Sequence, residues 1–101
     1  MKLFELLFSD DIKEAQDLQV KIEQNEVLQK EVKIKIEILR RAQREIISEG
    51  DFEYFKSEEK RLTSVLRKLA EDNKQLQDNF RISTNKVRVL QEATKNYENN
   101  I

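Results

Sequence analysis

The sequence contains no proline and a single glycine, Gly50, which stands near the midpoint of the 101 residues. Proline and glycine are the residues that most often end helices and form tight turns. A sheet protein or a compact domain of many helices needs several such turns, and this chain can supply only one. The sequence therefore predicts an all-α protein with one long helical arm on each side of Gly50.

The composition favours long helices over a thick core. Charged residues make up 39% of the chain and hydrophobic residues 38%, and Glu, Lys, Gln, Leu and Ile are abundant. This composition is typical of coiled coils. A chain of this size with so many charges has too few apolar residues for a core of several layers. We therefore predict one thin helical domain over residues 1–101.

A heptad seam runs along the first arm. Ser9 suits the helix cap at its start, and the two acids that follow suit the positive end of the helix dipole. Phe4 and Phe8 share the frame of the seam, so the N-terminal segment is predicted to extend it after a local irregularity. Steps of four and three residues give a mostly apolar row: Asp11, Ala15, Leu18, Ile22, Asn25, Gln29, Val32, Ile36, Leu39, Gln43 and Ile46.

The second arm has a seam of its own that restarts at Phe55. Its residues are again mostly apolar over six heptads, which predicts a coiled coil. The row consists of Phe55, Glu59, Leu62, Leu66, Leu69, Asn73, Leu76, Phe80, Ser83, Val87, Leu90, Thr94 and Tyr97.

Residues 32–38 alternate strictly between apolar and charged side chains, a period typical of a β-strand. We predict a helix there instead, because no turn residue bounds the segment and a lone strand would have no partner. On a helix, the alternation becomes a second apolar face opposite the seam. This second stripe contains Val20, Val27, Ile34 and Ile38.

The connection between the arms is predicted at residues 49–51, with a first arm over residues 3–48 and a second over 52–98. Gly50 suits the left-handed position after a helix end, and Asp51 suits the cap of the next helix. The alternative is one continuous helix with Gly50 inside it. The seams on the two sides of Gly50 are out of phase, which favours the turn.

A turn near Gly50 predicts that the arms pair as an antiparallel coiled-coil hairpin. Facing residues then have numbers that add up to about one hundred, so both seams are in register. The polar seam residues Asn25, Gln29 and Asn73 fall at one level, where hydrogen bonds among them would fix the register. Two helices bury little apolar surface, so we expect hairpins to assemble into an oligomeric helical bundle.

The absent residue types argue against an enzyme. The chain has no histidine and no cysteine, so it cannot form a catalytic triad or a zinc site with nitrogen and sulfur ligands. A single glycine excludes a glycine-rich phosphate loop. Acid pairs such as Glu58 and Glu59 are predicted to be solvated surface. We therefore expect no cofactor, no metal and no small-molecule substrate.

The second stripe is the first candidate binding surface. A helix that is apolar on two sides is usually sandwiched between partners. The stripe therefore predicts self-association, or binding to another protein, through Val20, Val27, Ile34 and Ile38. The alternative is that these aliphatic residues are simply exposed, which is common for single residues.

Aromatic residues after the turn form a candidate tip made of Phe52, Tyr54 and Phe55. We expect Phe52 and Phe55 to pack over Ile46 and Ile47, with only Tyr54 facing water. The alternative is a tip that docks a partner.

The apolar N-terminus contains Leu3, Phe4, Leu6, Leu7 and Phe8. It is predicted to dock against Leu90, Tyr97 and Ile101. The alternative, a membrane-surface anchor, has only Lys2 to supply positive charge.

Basic residues cluster on both sides of the turn although the net charge of the chain is only −1. In the hairpin both clusters lie at the same level, and like charges repel one another. We therefore expect an acidic partner there: the acidic first 31 residues of a neighbouring chain, an acidic protein patch, or a phosphate backbone. This candidate anion-binding band contains Lys33, Lys35, Arg40, Arg41, Arg44, Lys60, Arg61, Arg67 and Lys68.

The sequence thus predicts a non-enzymatic coiled-coil module for protein–protein interaction. Scaffolds, adaptors, assembly or secretion chaperones and small inhibitors of larger complexes work in this way. The alternative is a nucleic-acid-associated helical protein that uses the basic band. No stretch is apolar enough to span a membrane, and Glu5 interrupts the apolar run that a signal peptide needs, so a soluble cytoplasmic protein is expected.

Overall fold

A computed structural model describes residues 2–45 and 48–101. They form three helices: α1 (Leu3–Leu7), α2 (Ser9–Glu45) and α3 (Glu49–Asn99). No strand occurs among these residues, so the all-α prediction is confirmed. The alternating segment 32–38 lies within α2, as expected. No helix in these two ranges is long and apolar enough to cross a membrane.

The irregularity predicted near the N-terminus lies at Phe8. Its φ of −121° and ψ of 28° separate α1 from α2. Hydrogen bonding nevertheless continues across it, because the Phe8 amide donates to the Phe4 carbonyl and the Ile12 amide donates to the Phe8 carbonyl, at 2.9 and 3.1 Å. Ser9 is the first residue of α2 rather than a residue before it.

The predicted turn residues 49–51 are instead the first residues of α3. Gly50 has no positive φ, so the left-handed conformation expected of it was wrong. Asp51 is likewise helical and is not the residue before the helix. The Phe52 amide donates to the Ser48 carbonyl at 3.1 Å, which closes the first turn of α3. Glu49 and Asp51 favour an early start because acids stabilise the first turn of a helix.

The heptad period predicts well which residues of α2 and α3 are buried. All the described seam residues of α2, from Asp11 to Gln43, are buried or half-buried. The same holds for the seam of α3 with one exception, Tyr97, which is 62% exposed. Ile46 lies outside the described residues. The burial pattern shows that the heptad steps identify the inner face of each helix.

Contacts divide the chain into two units, Met1–Glu23 with Lys74–Ile101, and Gln24–Asn73. Each unit combines part of α2 with part of α3. The core of the second unit consists of Val32, Ile36 and Leu62, and Leu39, Leu66 and Leu69 pack against it. Among the described residues of the first unit, Ala15 and Ile22 are the buried apolar ones. No large side chain in the described ranges is fully enclosed, which makes the core thin, as predicted.

Candidate interaction surfaces

The predicted register layer forms a hydrogen-bonded group in the second unit. Asn25 is only 6% exposed, and its side-chain amide donates to the Leu69 carbonyl at 2.9 Å. Its side-chain oxygen accepts bonds from Gln29 at 2.6 Å and from Asn73 at 3.0 Å. Both the nitrogen and the oxygen of the Asn25 side-chain amide therefore have hydrogen-bond partners, as a buried polar group requires.

The second stripe of α2 is exposed, in contrast to the seam on the opposite face. Val27, Ile34 and Ile38, all in the second unit, are 56%, 52% and 58% exposed. Leu28 is exposed beside them, and sequence reasoning did not include it. Val20 is also exposed and belongs to the first unit. Within the second unit, α2 thus carries apolar side chains on a buried face and on an exposed face.

The aromatic tip differs in part from its prediction. Tyr54 faces water and Phe55 is half-buried, as expected, but Phe52 is exposed too. The rings of Tyr54 and Phe55 meet edge to face with their centroids 5.4 Å apart. The Lys56 ammonium lies 6.0 Å from the centre of the Phe52 ring and covers one side of it. The expected packing over Ile46 and Ile47 falls outside the described residues.

The apolar N-terminus lines a groove of about 420 Å³ in the first unit. Leu3 and Phe8 line it together with Leu90 and Tyr97, which the docking prediction had named. Leu7 also lines the groove although it is largely exposed, whereas Leu6 and Ile101 are exposed and do not line it. The groove therefore lies between the N-terminal residues and the C-terminal part of α3, and Ile101 does not contribute to it.

Part of the basic band is paired with carboxylates of the same chain. Arg40 donates to Glu59 with 2.6 Å between Nε and Oε1, and Gln43 donates to the same carboxylate at 2.8 Å. Arg61 is paired with Glu58. Hydrogen bonds from Arg40 and Gln43 lower the pKa of Glu59, and Arg40 and Lys56 add to this through their charge.

Two more residues of the band have acidic neighbours on their own helix. Arg41 lies 3.3 Å from Glu37, and Lys68 lies 3.9 Å from Asp72. The other five residues of the band form no ion pair within the described residues: Lys33, Lys35, Arg44, Lys60 and Arg67. The acidic group that the sequence led us to expect beside the band is thus supplied in part by the chain itself.

Sequence reasoning also missed a contact between α2 and α3 in the first unit. The Lys86 ammonium lies 3.2 Å from carboxylate oxygens of both Asp11 and Glu14. Hydrogen bonds to Glu14 and Asp11 raise the pKa of Lys86. Asp11 belongs to the predicted seam of α2, and the predicted register places Lys86 at the level of Glu14.

Two buried hydroxyl groups lie in the seam of α3. The Thr94 hydroxyl donates to the Leu90 carbonyl at 2.7 Å. Ser83 is 3% exposed, and within the described ranges its hydroxyl has no hydrogen-bond partner. The described residues contain no group of three or more acidic side chains placed to hold a metal ion.

Comparison with known proteins gives no family for this chain. No family model, curated protein or solved structure matches it.

Proposed function

We propose that this chain is a non-enzymatic coiled-coil module that works by binding proteins. In this proposal α2 and α3 pair as an antiparallel hairpin, and hairpins associate with one another into a helical bundle. The bundle then serves as a scaffold, an adaptor, an assembly or secretion chaperone, or an inhibitor of a larger complex.

The hairpin is supported by two contacts within the second unit. Asn25 of α2 bonds Asn73 of α3, and Arg40 of α2 bonds Glu59 of α3. Residue numbers rise along α2 while those of their partners fall along α3. This is the order of contacts that antiparallel pairing produces, and it follows the register predicted from the seams.

Self-association is supported by one observation above all, the exposed stripe formed by Val27, Ile34 and Ile38. Full burial of a Val or Ile side chain contributes about 1.5–3 kcal/mol. These side chains are about half exposed, so part of that contribution is still available to an interface. The thin core supports the same conclusion, because two helices alone bury little apolar surface and an interface between copies would add to it.

The proposal is tested by sedimentation of the wild-type chain and of a variant with Ile34→Lys and Ile38→Glu. The variant should have a lower mass but keep its helical circular dichroism, because both positions lie outside the seam. A control with Ile82→Glu and Val89→Lys replaces two exposed aliphatic residues of α3 and should keep the wild-type mass. A wild-type monomer, or equal masses for the wild type and the stripe variant, would contradict self-association through the stripe.

The alternative of a nucleic-acid-associated protein has less support. Arg40, Arg41, Arg61 and Lys68 each lie beside a carboxylate of the same chain. A phosphate backbone would have to compete with these carboxylates. We therefore favour protein partners.

A further inference from the structure

The charged residues beside the second stripe indicate how two copies would pair. Lys30 and Glu37 are exposed and lie on one flank of the stripe, and Lys35 lies on the other flank. In coiled coils such flanking charges set the orientation of the partner helix. All of these residues belong to the second unit.

We propose that two copies pair along α2 in antiparallel orientation, with Lys30 of each copy facing Glu37 of the other. This inference rests on the proposed self-association and adds its geometry. The two-fold axis then crosses the stripe at the level of residues 32 and 33. Val27 of each copy meets Ile38 of the other. Glu31 of each copy meets Ile34 of the other, and Lys35 lies beside this contact.

Parallel pairing is disfavoured by charge. Two parallel helices bring opposite flanks together, so Lys30 would face Lys35 of the second copy. Antiparallel helices bring identical flanks together, which allows Lys30 to face Glu37 twice by symmetry. Glu37 is available for this contact, because its only ion pair in the described ranges is the exposed one with Arg41. Lys30 has no ion pair in those ranges.

The register is fixed by the same two residues. A shift by one heptad in one direction places Lys30 opposite Lys30 of the second copy. A shift in the other direction places Glu37 opposite Glu37 and Lys30 opposite Arg44, although it also brings Glu31 to Arg41. Like charges directly opposed are destabilising. The register that pairs Lys30 with Glu37 is the one in which this flank has only opposite charges.

Orientation is tested with two single-cysteine chains, Glu31→Cys and Ile34→Cys. The native chain has no cysteine, so no other thiol interferes. In the proposed dimer these positions face each other across copies, so a mixture of the two chains should form a disulfide-linked heterodimer. Each chain alone should cross-link poorly. Efficient cross-linking of the Ile34→Cys chain with itself would show parallel pairing and would overturn the inference while leaving self-association intact.

Register is tested by charge reversal, measured as the dissociation constant in sedimentation. Lys30→Glu should raise the constant about tenfold, since two weak attractive pairs become repulsive. Lys30→Glu combined with Glu37→Lys should restore the wild-type value. Tighter association of the single variant, or no rescue by the double variant, would overturn the proposed register. A wild-type chain that stays monomeric at all concentrations would contradict this inference and the proposed function together.

Discussion

The side-chain amide of Asn73 donates a hydrogen bond to the side-chain oxygen of Asn25, with 3.0 Å between the two atoms. The residues are 48 positions apart in the sequence and join α3 to α2. Gln29 and the Leu69 carbonyl complete the group around Asn25. This polar layer interrupts an otherwise mostly apolar seam, and hydrogen bonds compensate for the burial of its amides.

Replacing Asn25 by alanine should lower the free energy of unfolding by about 1–3 kcal/mol. The substitution leaves Asn73, Gln29 and the Leu69 carbonyl without their shared partner and opens space in the seam. Urea unfolding followed by circular dichroism measures the change. Gln19→Ala, at an exposed position of α2, is the control and should be nearly neutral. An equally small effect of Asn25→Ala would show that the layer does not contribute to stability.

Replacing both Asn25 and Asn73 by leucine should have a different result. An apolar layer removes the desolvation cost of the amides, so we expect the unfolding free energy to stay equal or to rise. The hydrogen bonds that select one alignment of the helices are lost at the same time, so several registers should become populated. Amide NMR spectra should then show extra or broadened peaks. A single sharp set of peaks in the double variant would mean that apolar packing alone fixes the register.

The lowered pKa of Glu59 predicts an acid-sensitive contribution to stability. Hydrogen bonds from Arg40 and Gln43 hold this pKa below its ordinary value of 4.5. Around and below pH 4.5 the unfolded state binds more protons than the folded state. The contribution of Glu59 to stability is therefore lost as the pH falls through its lowered folded-state pKa. The pKa of Glu58 is also lowered, mainly by its hydrogen bond with Arg61, and its contribution has the same sign.

Glu59→Gln should therefore reduce the difference in unfolding free energy between about pH 6 and about pH 3.5. Urea unfolding at both pH values measures it. Glu53→Gln changes the same charge at an exposed position of α3 and should leave the difference close to that of the wild type. An unchanged pH dependence in the Glu59 variant would show that the contact with Arg40 is not maintained in solution.

Four of the nine basic residues of the band lie beside carboxylates of the same chain, so we predict no detectable binding to nucleic acid. Labelled duplex and single-stranded DNA should show no binding by anisotropy at low salt. Binding that weakens steeply as the salt concentration rises would contradict this prediction, because that dependence is the signature of phosphate contacts.

The inner faces of the helices were predictable because a heptad period is a local property of the sequence. Every described seam residue of α2 followed from counting fours and threes. Tyr97 of α3 did not follow, because it is 62% exposed although it continues the period and lines the groove with Leu3. The left-handed conformation predicted for Gly50 was wrong for another reason. Glycine costs most in the middle of a helix, and at the first turn it is tolerated without ending the helix.

The ion pair of Arg40 with Glu59 was not predicted from the sequence, because the two residues are 19 positions apart. Charge counted in windows along the chain separates these two residues, and only the pairing of α2 with α3 brings them together. The predicted register contained the necessary information, since the numbers of Arg40 and Glu59 obey it. The numbers of Lys86 and Glu14 obey the same register, so both contacts follow from it once charged residues are included.

Intrachain pairing of α2 with α3 is tested most directly by a chain that carries Asn25→Cys and Asn73→Cys. Treatment with a short bis-maleimide at several dilutions is followed by mass spectrometry of the products. The antiparallel hairpin predicts a cross-linked species of monomer mass whose yield does not depend on protein concentration. Cross-links found only between chains, with a yield that falls on dilution, would contradict the hairpin.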